Sequence, residues 1–124
     1  MRRQKFTIEG RLDGVNELIS ANRKNPYVGA KEKRKQQNIC IHAIRASKIR
    51  PVLSYPVSIC IKWFERNGRR DPDNIAGAKK FIFDALQETK ILKNDGFPEI
   101  EFLSDDFAID KKFPRIEVAI IENG

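Results

Sequence analysis

The segment Arg66–Asn74, "RNGRRDPDN", places two aspartates one residue apart directly behind two arginines. Carboxylates at that spacing are hard oxygen ligands for a cation, while arginines hold anions. A site that offers both suits a divalent metal ion carrying a phosphate. A plainer account exists. Asp71 stands before Pro72, where the chain avoids helical geometry and proline opens a helix, so Asp71 fits an N-cap. Asp73 would then be a favourable charge at the positive end of the helix dipole. That account covers either aspartate. It does not cover the crowding of Arg69, Arg70 and Asn74 at the same spot, nor the second acidic turn, "LKNDGFPE", that follows the helix. Asp95 lies there in an Asp–Gly pair, which simple turn chemistry also explains. If the chain returns Asp95 beside Asp71 and Asp73, three carboxylates share one site and a divalent cation relieves their repulsion. Oxygen ligands with room for water and phosphate select Mg²⁺, with Mn²⁺ as a substitute.

Two lysines follow. On a helical wheel Lys80 lies outside the apolar arc of Ile75, Ala78, Ile82, Ala85 and Leu86, close in angle to Asp73 and Asp84. It is roughly 10 Å from Asp73 along the axis. Lys79 falls inside that arc. One would contact the scissile phosphate and the other would be structural, its stem covering apolar surface. For Lys80 the plain alternative is an i,i+4 pair with Asp84.

The elements that must position these groups are legible in part. "KFTIEG" sets Phe6 and Ile8 on one face of a short strand, and Asp13 begins a helical turn or two. "VSICIKWF" alternates Val57, Ile59, Ile61 and Trp63 against Ser58, Cys60, Lys62 and Phe64, a strand. "IAGAKKFIFDALQ" reads as helix, and "EIEFL" and "RIEVAII" as strands. The expected order is β-α-β-α-β-β, an α+β fold with a small mixed sheet of about four strands packed with helices.

At 124 residues with 40% hydrophobic residues the chain is read as a single domain, 1–124. Its net charge of +7 is uneven. Between Ser20 and Arg50 there are nine Lys/Arg and one acid, Glu32, a balance of +8, which leaves −1 for the rest. Such a block is an electrostatic footprint for polyanions. Its candidate DNA contacts are Arg23, Lys24, Lys31, Lys33, Arg34 and Lys35, joined by Arg69 and Arg70 near the acidic motif. "ANRKNPYVGAKEKRKQQ" is polar on all sides and broken by Pro26 and Gly29, so a basic mobile arm is expected around 22–37, leading into a helix anchored by Ile39, Cys40, Ile41 and Ile44. No apolar run is long enough to span a bilayer. No export signal is visible, and Cys40 and Cys60 read as reduced thiols in a cytoplasmic protein. Cys40, His42 and Cys60 make a poor zinc set, since a fourth ligand is missing.

"RRDPDNIAGAKKFIFDAL" followed by "ILKNDG" resembles the RusA-type Holliday-junction resolvases, small metal-dependent endodeoxyribonucleases often carried by phages and prophages. The resemblance spans nearly the whole chain, through the closing "PRIEVAI". It implies that Asp71, Asp73 and Asp95 are the metal-binding carboxylates and that a helix lysine is essential. In shorter family members that lysine lies one turn after the second aspartate; Gly77 stands there in this chain, so Lys80 and Lys79 both remain candidates. The expected activity is Mg²⁺-dependent resolution of four-way DNA junctions in recombination and repair, by paired nicks with 5′-phosphate ends. Two chains would act as a homodimer, since each supplies one acidic site and two nicks are needed. The rivals are a metal nuclease for flaps or other branched DNA, and a non-catalytic basic DNA-binding module.

Overall fold

The alternation of Val57–Glu65 is realised as the strand at the heart of the molecule. The computed structural model describes residues 2–124. In chain order the elements are β1 (Arg3–Glu9), α1 (Val15–Lys24), α2 (Pro26–Ser47), β2 (Val57–Glu65), α3 (Pro72–Ala76), α4 (Lys79–Glu88), β3 (Ile100–Ile109) and β4 (Arg115–Glu122). The strands form one sheet in the order β1-β4-β2-β3. β4 is antiparallel to both its neighbours, while β2 and β3 are parallel. This is the expected small α+β fold with a mixed four-stranded sheet. Each helical stretch in the expected order proves to be a pair of helices.

One face of the sheet carries the core. Ile59, Ile61 and Trp63 of β2, Phe6 and Ile8 of β1, and Ile116, Val118 and Ile120 of β4 are buried there. Against them lie Cys40, Ile41 and Ile44 from α2 and Phe81, Ile82, Ala85 and Leu86 from α4. Each large apolar side chain so buried contributes about 1.5–3 kcal/mol. Burial also pushes the Cys40 thiol up to about 12, so it stays protonated and acts as a small hydrophobe.

The segment expected to be a mobile arm is helical. Pro26, read as a breaker, occupies the first turn of α2, where its missing N–H costs nothing, and the Asn25 side chain accepts from Tyr27 N–H as the N-cap. Gly29, read as a second breaker, is buried because α1 passes too close for a side chain: a Cβ there would collide with Asn22. Arg34 and Gln37 then bind Glu88 at the end of α4. A sequence polar on all sides is therefore ordered by caps and polar cross-links.

The helix read over "IAGAKKFIFDALQ" divides at Gly77–Ala78 into α3 and α4. The strand read over "EIEFL" extends to Ile109, through Asp105 and Asp106, which are poor strand residues by type.

Candidate functional site

Two loops meet at the end of the sheet where β2 finishes. Arg70 donates to both Glu65 carboxylate oxygens (3.0 and 2.9 Å) and to the Leu12 carbonyl (3.0 Å), which ties the turn after β2 to the turn after β1. Asn74 completes the junction. Its Oδ1 accepts from Asn16 N–H at 2.8 Å. The N-cap of α1 is Gly14, which has no side chain to offer, so Asn74 satisfies a free donor at the start of α1 from another helix. Gly14 is required by that approach, since a Cβ there would stand 2.5 Å from Asn74 Oδ1.

This clamp holds the start of α3. Asp71 is its N-cap by backbone geometry but makes no side-chain capping bond, and Asp73 accepts from Asn74 N–H at 3.0 Å. Both are exposed, and among the described residues neither forms a salt bridge. The arginines thought to share their site divide. Arg70 is mostly buried and spent on Glu65, whereas Arg69 is exposed. Arg11, Arg66 and Arg69 border a basic recess beside Pro114.

Asp95 is elsewhere. Because β2 and β3 are parallel, with Val57 opposite Ile100 and Glu65 opposite Ile109, the turn before β3 lies at the opposite end of the sheet from the turn after β2. The nine residues of β2 separate the two ends by roughly 25–30 Å. Asp71 and Asp73 stand two positions apart at the start of α3, and Asp95 is not brought to them within one chain. Among the described residues no group of three or more His, Cys, Asp or Glu side chains is placed to hold a metal ion. The three-carboxylate cage does not form in one chain. What remains fits a sparser mode. Mg²⁺ commonly uses one or two carboxylates and keeps waters and substrate phosphate as its other ligands, and Asp71 and Asp73 are free to supply the two.

The lysines separate clearly. Lys80 pairs with Asp84 one turn on (3.2 Å) with a well-exposed side chain, the plain i,i+4 arrangement. Lys79 reaches the sheet and forms an ion pair with Asp105 of β3. Trp63 Nε1 donates to the same carboxylate at 2.8 Å. Asp105 is the carboxylate that sequence reasoning missed. Its signal was the register: a strand partner of β2 places Asp105 opposite Ile61, on the helix-covered face where a bare carboxylate must find partners.

Of the expected basic contacts, Lys31, Lys33 and Lys35 are exposed on α2, as are Arg23 and Lys24 at the end of α1. Arg34 is held by Glu88, with bonds of 2.9 and 3.0 Å. A second acidic cluster lies where α1 meets α2. Burial, together with a hydrogen bond to and repulsion from Glu32, raises Asp13 to about 6, while that same bond holds Glu32 below its usual range.

No family model matches the chain, and no curated protein matches it. Among the described residues no helix is long and apolar enough to cross a membrane.

Proposed function

We propose that the protein is a Mg²⁺-dependent, structure-selective DNA endonuclease that resolves four-way junctions as a cytoplasmic homodimer, a reading that rests on the resemblance to RusA-type resolvases. The observation that carries it is the pair Asp71 and Asp73, exposed and without a cationic partner, fixed at a clamped turn in a chain whose charge is otherwise strongly basic.

Asp71 and Asp73 would hold the metal. When bound, the ion supplies an activated water and charge stabilisation for hydrolysis of a phosphodiester. Arg69, beside them, would hold a flanking phosphate. Lys79, ion-paired with Asp105, is the better-supported of the two candidate lysines, because its partner lies on the sheet and fixes its position. Its role would be to offer positive charge to the phosphate through its remaining donors. The basic helix α2 would hold the junction's phosphates. Four exposed phenylalanines, Phe97, Phe102, Phe107 and Phe113, support a second copy: three border or lie on β3, one of the two edge strands, where apolar side chains are more than one small core can cover.

The test is cleavage of labelled four-way junction, flap and linear duplex with Mg²⁺ or with EDTA. Paired symmetric nicks in the junction with Mg²⁺ alone support the reading. Equal cleavage of flaps moves it to a broader branched-DNA nuclease. The absence of the three-carboxylate cage favours the second reading, a non-catalytic DNA-binding module, and that reading predicts binding to all three substrates with no cut in any. Light scattering gives the mass, and dimers mixed with Asp73→Asn chains should nick one strand and stall.

A further inference from the structure

α2 presents one stripe to solvent in which Tyr27, Lys31, Lys35, Asn38 and His42 succeed one another at helical spacing. With Ala30, Arg34 and Ile39 these residues line an open groove of about 950 Å³. No acid lines it. Glu32, the one acid of α2, binds Gln36 and Asp13, and Glu88 is ion-paired with Arg34 and accepts from Gln37. Among the described residues neither Lys31 nor Lys35 forms a salt bridge, although Lys35 lies near enough to Glu32 to stabilise its charge. At the head of the stripe Tyr27 is 78% exposed. It is not a loose aromatic. The Asn25 cap fixes its backbone, and the close packing of Gly29 on Asn22 fixes the elbow that carries it.

A row of lysines suits any polyanion. The ring narrows the choice. In duplex DNA the faces of the bases are stacked and hidden, so an aromatic side chain set among phosphate contacts gains little. Where bases are unpaired, each offers a face to an aromatic ring irrespective of sequence. We propose that the α2 groove binds single-stranded DNA, with an unpaired base stacked on Tyr27 and successive phosphates held by Lys31 and Lys35. This deepens the nuclease reading, and rests on its choice of DNA as partner, by making the unpaired nucleotides of a branch point the part that α2 recognises.

The experiment measures affinity of the full chain, without Mg²⁺, for a fluorescent oligothymidine and for a blunt duplex, across a series of salt concentrations. Tyr27→Ala is expected to weaken oligothymidine binding by about 5- to 150-fold. It should leave duplex binding unchanged, and Tyr27→Phe should restore the loss. The double change Lys31→Ala with Lys35→Ala should weaken both and reduce the log–log salt slope on oligothymidine by about 1.4. Melting curves confirm that these exposed-site variants fold. An unchanged oligothymidine affinity in Tyr27→Ala overturns the proposal, as does an equal loss on the duplex. So does polyglutamate competing as well as oligothymidine, which would mark the groove as a general acidic-peptide site. Cleavage is read separately. A chain that never cuts but shows the Tyr27 selectivity loses the nuclease reading and keeps this one, and a chain that cuts junctions without that selectivity does the reverse.

Discussion

At the mouth of α3 two carboxylates, Asp71 and Asp73, stand in solvent with no cation against them. Four carboxylates elsewhere are occupied: Glu65 by Arg70, Glu88 by Arg34, Asp105 by Lys79 and Trp63, and Glu122 by Arg2. Glu122 is the extreme case. It is buried on β4 and accepts from Leu53 N–H (2.9 Å) and Ser54 N–H (2.8 Å) as well as from Arg2. Burial alone pushes its carboxyl up, but the three donors together bring it below the usual range. The occupied acids hold loops to the sheet and helices to each other. The free pair holds nothing beyond its own turn. In a chain with 24 Lys and Arg to 17 acids, this pair stands at a clamped turn with both carboxylates open to solvent, which is what the proposed metal site requires.

The contrast sharpens under substitution. Asp73→Asn keeps the oxygen that accepts from Asn74 N–H, so the fold should be unaffected. Loss of a ligand charge should nonetheless lower cleavage by more than ~100-fold, beyond what outer-shell changes at metal sites cost. Junction binding in a gel shift should persist, and near-normal cleavage would reduce Asp73 to a helix-dipole residue. Glu122→Ala is the opposite experiment. It strands Arg2 and two backbone donors, and denaturant unfolding should show a loss of about 2–3 kcal/mol. Cleavage by the remaining folded protein should be unchanged.

A smaller effect is expected at the α1–α2 contact. Asp13, raised to about 6, favours the folded state while it carries its proton. Its contribution is complete below its unfolded value, near 4, and is lost as pH rises through about 6, when Asp13 and Glu32 are both charged and repel. The melting temperature should therefore fall between about pH 4 and pH 6, and Asp13→Asn should flatten that fall. A profile of equal slope in the variant would show that the pair does not share a proton. The smallest effect is expected at Asp95. Asp95→Asn should change stability by no more than about 0.5 kcal/mol and leave cleavage intact. If it abolished cleavage as Asp73→Asn does, the two ends of the sheet would have to meet across two copies of the chain, and the contrast drawn above would fail.

What the sequence disclosed was mostly what side-chain period controls. The strand at Val57–Glu65 was plain because Val57, Ile59, Ile61 and Trp63 face one way, and Arg115–Glu122 was plain for the same reason. Asp71 and Asp73 were legible because Pro72 fixes a helix start behind Asp71. Asp95 was misplaced because adjacency along the chain says nothing about which end of a sheet a turn reaches; the parallel pairing of β2 with β3 decides that, and it is a long-range fact. Asp105 was overlooked because an aspartate argues against a strand until Lys79 and Trp63 are seen to satisfy it. The helix over 26–37 was hidden because its order comes from Asn25, Asn22 and Glu88, none of which leaves an apolar stripe in the segment itself.

The strand order has a bearing on how the molecule is made. β4 is the last element formed, yet it lies between β1, the first, and β2. A chain still being synthesised holds β1 with no strand to pair to: α2 can cover Phe6 and Ile8 early, but the hydrogen-bonding partner of β1 arrives only with residues 115–121. Folding by successive completion from the N-terminus is thereby closed to this protein, and closure of the sheet waits for the longest-range contacts, which are the slowest to form. For that whole interval both β1 and β2 lack the strand that joins them, so truncation before Arg115 is expected to leave unpaired strand edges, the feature that favours aggregation.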